Sequence, residues 1–307
     1  MKRLLCFLLL PWCMPTSSAG TRPSPIAPGG VTRGILWRGM ERADYLRTIL
    51  YESADSALVV RLLGAKPEGD SDVLFYARQF LGKPYVAHTL EIADPEQLIV
   101  NLRGLDCTTL VETACALAMT HRQESNDFAD FCWNLEQLRY RNGQLQGYLS
   151  RLHYFAWWMQ DNVRRGNVRE VNDATHWTSS MTVRNHYMTR HWEQYRLLKR
   201  HPEWVAEITR MEQAGNGGQG FYLPQSALRL GRTALSAIQD GDIIAIVTTK
   251  DGLDYSHLGF AMWGEDGHLH MLHASSLYKR VVEDPKTLHQ YLNGQRTSVG
   301  IRLLRLQ

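Results

Sequence analysis

The feature that most constrains the fold is a change in hydrophobic periodicity about two thirds of the way along the chain. Apolar residues recur at helical spacing in the segments 39–63, 72–81, 128–141, 152–163 and 192–211. After a glycine-rich stretch at 215–220, which predicts a flexible loop, β-rich runs follow at 242–249, 256–263, 268–275, 279–282 and 298–306, with one helix at 285–292. Helices followed by strands that tight turns join are typical of an α+β fold with a mainly antiparallel sheet. We therefore predict one domain over 35–307, with a large helical insertion at about 130–235.

The amino terminus has the pattern of an export signal. Lys2 and Arg3 precede an apolar run that is too short to remain in a bilayer, and small residues follow up to Ala19. We predict cleavage after Ala19, so that residues 1–19 form a signal peptide, 20–34 form a disordered leader, and the mature protein is periplasmic or secreted.

Charge and hydropathy beyond the signal restrict the classes of partner. Loss of Lys2 and Arg3 leaves 32 basic and 31 acidic residues, a net charge of +1. The sequence has no basic tract interleaved with aromatics, which argues against nucleic acid as a partner. It has no second long apolar stretch, which argues against a stable membrane anchor. The oligomeric state stays open.

The cysteines of the mature chain do not form a metal-binding pattern. Cys107, Cys115 and Cys132 remain after the signal is removed, and an odd number in an exported protein means at least one free thiol. The spacings are not those of a structural zinc site, and we predict no metal and no cofactor. A Cys115–Cys132 disulfide fits the count but has no other support, and we expect Cys115 to be reduced and inert.

A buried helix with a cysteine on its first turn is predicted immediately after Leu105. The Asp106 carboxylate can accept from the free amides of that turn. The apolar positions then fall at spacings of three, four and seven: Leu110, Val111, Ala114, Cys115, Leu117 and Ala118. Cys107 would lie where unpaired amides and the helix dipole favour a thiolate and can hold an oxyanion. The alternative is a cysteine that only fills apolar space, and this segment alone does not decide between the two.

Two histidines of the sheet half are predicted to meet across a hairpin. His257 opens one strand and His273 lies near the end of the next, with a tight turn centred near Glu265 and Asp266. Residues whose numbers sum to about 531 would then face each other, which places the two histidines roughly opposite, within side-chain reach. The alternative for each is an ordinary surface or core histidine. A cysteine nucleophile needs a base and a group that orients the base, and these two can supply both.

Three motifs follow one another along the chain: Leu81-Gly82-Lys83-Pro84-Tyr85, Asp106-Cys107-Thr108-Thr109 and Ser256-His257-Leu258-Gly259. Together they resemble the NlpC/P60 superfamily of papain-like cell-wall hydrolases, and more narrowly its DUF1460 branch. The branch is indicated by Pro84-Tyr85-Val86-Ala87, Thr89-Leu90-Glu91, Asn101-Leu102-Arg103, Ser150-Arg151-Leu152-His153-Tyr154 and His273-Ala274-Ser275. These pieces span roughly 70–300 in the family's order. The resemblance implies a helix-borne cysteine packed on the sheet.

The resemblance also implies roles for individual residues. Cys107 would be the nucleophile, His257 the general base and acid, and His273 the orienting residue. Tyr85 would lie beside the thiol, near the oxyanion, although simple packing is the alternative.

A second group would contact substrate: Ser150, Arg151, His153 and Ser256. Arg151 could hold a substrate carboxylate bidentately, or it could be a solvated arginine on a helix face.

The preferred function is an exported cysteine amidase that cleaves N-acetylmuramic acid from L-alanine in peptidoglycan fragments, through a thioester acyl-enzyme. The resemblance implies a preference for the 1,6-anhydro sugar. A D,L-endopeptidase that cuts the D-glutamyl–diaminopimelate bond is the first alternative. A non-catalytic wall-binding module and an acyl transferase follow, and a zinc hydrolase is least favoured because no HExxH pattern occurs.

Overall fold

The computed structural model describes residues 37–69 and 71–307. The predicted signal peptide at 1–19, the leader at 20–34 and the first residues of the predicted domain lie outside the described residues. None of the described helices is long and apolar enough to cross a bilayer.

Ten α-helices occur in the described residues, most of them before the large sheet. They are α1 Arg42–Arg47, α2 Ser53–Leu63, α3 Asp72–Arg78, α4 Cys107–Arg122, α5 Phe128–Arg139, α6 Phe155–Arg164, α7 Tyr187–Arg190, α8 Arg196–Arg200, α9 Trp204–Gly215 and α10 Leu288–Asn293. The predicted helical segment 39–63 is two helices, because the chain runs extended at 49–50 and pairs there with another segment.

Ten strands are present in the same residues. They are β1 Ile49–Leu50, β2 Leu98–Ile99, β3 Val168–Val171, β4 Ser179–Thr182, β5 Gln219–Pro224, β6 Ile243–Thr248, β7 Tyr255–Trp263, β8 Leu269–Ser275, β9 Arg280–Glu283 and β10 Ser298–Leu306. β1 and β2 form a small parallel pair. The other eight form one antiparallel sheet in the order β4-β5-β10-β6-β7-β8-β9, and β3 pairs with β10. The prediction of helices first and a mainly antiparallel sheet afterwards is confirmed.

The sheet is buried on both faces in its centre. In β6 the side chains of Ile243 and Ala245 join the core that contains α4, whereas Ile244 and Ile246 join a second core that α10 covers. A strand whose two faces are both covered is expected to be apolar at every position, as this one is. Helix α4 packs against β7 and β8, the strands that follow this buried strand in the sheet.

The segment at about 130–235, predicted as a helical insertion, is only partly helical. It contains β3, β4 and β5, and both β3 and β5 pair with β10 of the main sheet. The stretch predicted as a loop at 215–220 runs into β5. Only one of the six residues of this strand is buried, so its local hydrophobic pattern is weak. Pairing with β10 supplies the order that the sequence does not signal.

Candidate active site

The cysteine predicted on the first turn of a buried helix is the first residue of α4. Asp106 is the N-cap: its carboxylate accepts from the Thr109 amide at 2.8 Å, and the Thr109 hydroxyl accepts from the Asp106 amide at 2.9 Å. A reciprocal cap of this kind stabilises a helix start by about 1 kcal/mol. It also turns the Asp106 carboxylate toward the helix amides, as the sequence predicted. Cys107 is partly exposed, whereas the helix behind it is buried.

The electrostatics of Cys107 differ from the prediction of a thiolate. Burial and then the charge of Asp106 raise the pKa of the Cys107 thiol to about 12. Hydrogen bonds from the Leu258 backbone amide, the Thr108 side chain and the Cys107 amide lower it, but by less. The expectation from the helix dipole was wrong because desolvation outweighs the amides at this position. The resting side chain is a neutral thiol.

His257 and His273 are in direct contact. His257 Nε2 and His273 Nδ1 are 2.6 Å apart, and the rings meet edge to face. The hairpin register pairs Phe260 with Leu272, so the paired numbers sum to 532 rather than 531. The two histidines are therefore diagonal neighbours on one face rather than directly opposite. That spacing remains within reach of long side chains.

His257, His273 and Asp284 form a hydrogen-bonded row, and the sequence did not predict its third member, Asp284. His273 Nε2 lies 3.2 Å from Asp284 Oδ2, and both side chains are almost fully buried. The register of β8 with β9 pairs His273 with Val282, which places a residue two positions beyond Val282 on the same face. The same register applied from β8 to β9 identifies position 284 from the sequence.

Burial opposes the charge of Asp284, but its surroundings favour that charge overall. The hydrogen bonds from His273 and from the Lys286 amide outweigh desolvation, and the pKa of Asp284 is lowered. The Lys286 amide donates to the second carboxylate oxygen at 2.9 Å. Asp284 is therefore an ionised acceptor at neutral pH.

An ionised Asp284 sets the proton positions along the row. His273 Nε2 must carry the hydrogen that Asp284 accepts, so with a neutral His273 the Nδ1 atom is an acceptor. His257 Nε2 then donates to it, which leaves His257 Nδ1 with a free lone pair. Burial, and then the neighbouring His273, lower the pKa of His257 to about 3, against the effect of Asp284. His257 is thus a neutral imidazole whose Nδ1 can accept a proton.

Cys107 and His257 share a cavity of about 150 Å³. Its wall includes Cys107, His153, Asn185, Asp254, Ser256 and His257. Ser256 is exposed and is the extra residue of a β-bulge, because Ile246 pairs with His257 and Val247 pairs with Tyr255. Bulges of this kind are frequent beside active sites. The structure therefore places two of the four predicted substrate residues, His153 and Ser256, in the wall of the cavity that Cys107 also lines.

Tyr85 lies on the segment between the sheet edge and the cysteine. Its amide donates to the Lys279 carbonyl at 2.9 Å, and it bridges in parallel to Leu105. Burial, followed by the charges of Cys107 and Asp106, raises the pKa of Tyr85 to about 12. At neutral pH the side chain therefore carries its phenolic proton. Its role there stays a prediction.

Ser150 is not part of the Cys107 cavity. Its hydroxyl donates to the Gly147 carbonyl at 2.7 Å and accepts from the Gln146 amide at 2.9 Å. It lines a separate cavity of about 570 Å³. The residue closes a turn, and its predicted contact with substrate at the thiol is not supported by this position.

Arg151 is not solvated, and its guanidinium is not free to bind a substrate carboxylate. Its guanidinium is buried, donates to Glu91 at 2.5 Å and to the Leu90 carbonyl at 3.0 Å, and lies 3.5 Å from Glu96. Two carboxylates of the chain already occupy the position predicted for a substrate carboxylate, which is the physical reason for the correction. Burial and the neighbouring Arg151 hold the pKa of His153 well below its usual range, so His153 is neutral at the cavity wall.

Cys115 and Cys132 are buried and unbridged. Among residues 37–69 and 71–307, no three His, Cys, Asp or Glu side chains are grouped so that they could hold a metal ion.

Comparison with protein-family models matches residues 76–301 to the AmiA-like family, described as N-acetylmuramoyl-L-alanine amidase-like. Among solved structures, an N-acetylmuramoyl-L-alanine amidase from Bacteroides uniformis is 40% identical, with a TM-score of 0.71 over 77% of this chain and 98% of that chain. A Bacteroides fragilis protein described as a candidate xylanase is also 40% identical, with a TM-score of 0.70 over 75% of this chain and 99% of that chain. Comparison with curated proteins finds no match.

A Legionella pneumophila protein of the DUF1460 family is 23% identical, with a TM-score of 0.62 over 83% of this chain and 93% of that chain. This likeness shows a shared fold only. Membership of the DUF1460 branch and of the NlpC/P60 superfamily stays a prediction. Since the family model matches most of the chain and the Bacteroides uniformis amidase is covered over nearly its whole length, this chain belongs to the AmiA-like family of N-acetylmuramoyl-L-alanine amidase-like proteins.

Proposed function

We propose that the protein is an exported cysteine amidase that hydrolyses the bond between N-acetylmuramic acid and L-alanine in peptidoglycan fragments. Family membership supports an amidase that acts on peptidoglycan. The observation that carries the cysteine mechanism is the hydrogen-bonded row of His257, His273 and Asp284, whose first ring shares a cavity with the thiol of Cys107.

In the first half of the reaction, the Cys107 sulfur attacks the carbonyl carbon of the scissile amide. The thiol proton passes to His257 Nδ1 in the same step, because the resting pair is neutral. The new imidazolium is hydrogen-bonded through His273 to the Asp284 carboxylate, which stabilises its charge. The developing oxyanion would be held by the Cys107 amide, which lies on the first turn of α4. Tyr85 is proposed to support the same oxygen.

The tetrahedral intermediate then collapses in the usual way for acyl transfer. The carbon–nitrogen bond breaks, the electron pair stays on the nitrogen, and His257 returns its proton to the leaving amine of L-alanine. Water attacks the muramoyl thioester, gives a proton to His257, and releases the lactyl carboxylate together with the free thiol. Every proton that His257 takes is returned within one turnover.

Three finer parts of the proposal each have their own support. Export is supported by Lys2, Arg3 and the apolar run that ends near Ala19. A papain-like NlpC/P60 fold is supported by the cysteine at the start of α4 and by the histidines on the sheet. Preference for the 1,6-anhydro sugar comes only from the resemblance to the DUF1460 branch.

The test is digestion of a defined muropeptide, in its 1,6-anhydro form and in its reducing form, with mass analysis of the products. Release of the free amino sugar and an intact stem peptide supports the amidase. A stem peptide split after D-glutamate rejects it in favour of the D,L-endopeptidase. Capture of the acyl group by added amines would indicate a transferase, and inhibition by a chelator would indicate a metal hydrolase.

Two active-site variants and one control complete the experiment. Cys107→Ser and His257→Ala should lose turnover, whereas Cys115→Ala should retain it because that thiol is fully buried in the core. If Cys107→Ser turns over substrate at the wild-type rate, the proposed nucleophile is wrong. Tight muropeptide binding by wild-type protein without any turnover would identify a binding module instead.

A further inference from the structure

Three neighbouring cavities follow helix α6 from the Cys107 site to Arg141. The Cys107 cavity and a second one, of about 290 Å³, share Ala156 in their walls. The second cavity and the cavity of about 570 Å³ that Arg141 lines share Trp157 and Gln160. A helix rises about 6 Å over the four residues from Ala156 to Gln160. The three cavities therefore offer a path along α6 that begins at the thiol.

The guanidinium of Arg141 forms no ion pair with a carboxylate of residues 37–69 and 71–307. Asp161, the nearest acidic group to act on it, pairs with Arg164, and Glu207, in the wall of the same cavity, pairs with Arg210. Burial lowers the pKa of Arg141, and the effect of Asp161 does not offset burial and the repulsion from Arg164. A partly desolvated cation without a partner is stabilised when an anion binds to it.

Arg141 is held in position by an aromatic ring. Its Cζ lies 5.4 Å from the ring centroid of Trp157, within the range of a cation–π contact. Trp157 is itself buried, meets Tyr154 edge to face, and packs so closely on Gly215 that a Cβ there would lie 2.6 Å from the indole nitrogen. Arg141 is nevertheless partly exposed, so a ligand can reach it. A cation positioned in this way loses little entropy on binding.

The chemistry of a guanidinium selects one arm of the substrate. Its planar N–H groups match a carboxylate, which they can bind bidentately. In a muramoyl peptide the lactyl carboxyl of the sugar is already part of the scissile amide, so free carboxylates occur only in the stem peptide. Two extended stem residues span about 7 Å, which is comparable with the rise of α6 between the first cavity and the third. The D-glutamate of the stem therefore has the length to reach Arg141.

We infer that Arg141 binds a carboxylate of the stem peptide, which runs along α6 away from Cys107. This inference rests on the proposed function. It makes Arg141 a specificity-determining residue, because it favours an acidic stem over an amidated one. Ser150 lines the same cavity, so it faces the stem peptide rather than the reacting amide. The D-glutamyl residue carries an α-carboxylate and a γ-carboxylate of the same chemistry, and the experiment separates them.

The experiment measures equilibrium binding to the Cys107→Ala variant by calorimetry, so that no turnover intervenes. The three probes are N-acetylmuramoyl-L-alanyl-D-glutamate, its isoglutamine form with the α-carboxylate amidated, and its diamide, which has no carboxylate. Each is titrated against the Cys107→Ala protein alone and with Arg141→Gln or Arg141→Lys added. The matched control adds Arg61→Gln, which makes the same change at an exposed arginine of α2.

The Cys107→Ala protein should bind the dicarboxylate about 10-fold to 100-fold more tightly than the diamide. Arg141→Gln should abolish this preference, Arg141→Lys should retain part of it because the charge remains, and the control should retain all of it. The diamide should bind every variant equally, which shows that the rest of the site is intact.

The isoglutamine probe then identifies the carboxylate. If it binds like the diamide, Arg141 binds the α-carboxylate, and if it binds like the dicarboxylate, Arg141 binds the γ-carboxylate. The inference is overturned if the dicarboxylate and the diamide bind equally well, if no probe binds, or if Arg141→Gln keeps the preference. Absence of cleavage by wild-type protein, with the preference and its dependence on Arg141 intact, would reject the proposed reaction and not this site.

Discussion

Asp284 provides the sharpest test of the proton positions in the site, through the substitution Asp284→Asn. The carboxylate accepts from the Lys286 amide through Oδ1 and from His273 Nε2 through Oδ2. In the variant, the Lys286 N–H can be satisfied only by the asparagine oxygen, because an NH₂ group there would face another donor. The asparagine NH₂ must then face His273, which is forced to accept through Nε2 and to carry its hydrogen on Nδ1.

The change of tautomer at His273 also changes the tautomer of His257, the proposed base. His273 Nδ1 becomes a donor to His257 Nε2, so a neutral His257 must carry its own hydrogen on Nδ1, the atom that should accept the thiol proton. In serine-protease triads the wrong tautomer lowers kcat by about 10⁴. Since His273 stands between the carboxylate and the base here, we expect a loss of about 10³ in kcat, or about 4 kcal/mol at about 1.4 kcal/mol per factor of ten. The number of hydrogen bonds is unchanged, so the free energy of unfolding should change by only about 1 kcal/mol.

The assay combines kcat and KM on a muramoyl peptide, urea unfolding, and nitrogen NMR of the histidine tautomers. Asp266→Asn is the matched control, because Asp266 pairs with His270 Nε2 at 3.2 Å in an exposed position on the same hairpin. Its activity should equal that of the wild type. A kcat for Asp284→Asn within about threefold of wild type, or a His257 tautomer that is unchanged in the variant, would refute the reasoning.

Three further outcomes are expected. Arg151→Leu should lower the free energy of unfolding, measured in urea, by about 3–5 kcal/mol, because it leaves two buried carboxylates without their cation. The control Arg47→Leu, at an exposed ion pair, should change it by under about 1 kcal/mol. Equal losses in the two variants would contradict this account. With the pKa of His257 near 3, kcat/KM should fall only below about pH 4, where the ring becomes protonated and cannot accept the thiol proton; a midpoint near 6.5 in the pH profile would count against it. In native mature protein, iodoacetamide should label Cys107 and neither of the two buried cysteines. Because the pKa of the Cys107 thiol lies near 12, labelling should be slow at pH 6 and about tenfold faster for each pH unit as the thiolate forms. Rapid labelling that does not depend on pH would instead reveal a resting thiolate.

Much of the site could be predicted because its parts depend on local chemistry. The Asp106 cap and the start of α4 follow from spacing and hydrogen-bonding capacity within four residues. The contact between His257 and His273 follows from hairpin geometry, although the register differs by one from the predicted value. Such features are decided by neighbours in the chain, so a sequence pattern carries them.

Other features depend on distant segments and could not be predicted in this way. Arg151 was predicted to face substrate, but it is neutralised by Glu91 and Glu96, which lie more than fifty residues earlier in the chain. Strands β3 and β5 form because β10 pairs with them. The sequence around Arg151 and the sequences of β3 and β5 do not identify their partners. Ion pairs and strand pairing between distant segments are selected by the packed structure as a whole.

By itself, the sequence determined the strands from β6 onward, the helix start that carries Cys107, and the hairpin that brings two imidazoles together. Only the tertiary structure decided that Asp284 completes the row and that the thiol rests in its neutral form. It also placed Asn185 and Asp254, which are both buried, in the wall of the cavity. The physical reason is desolvation: how strongly a charge or a polar atom is disfavoured depends on what packs around it from every direction, and no local pattern records that.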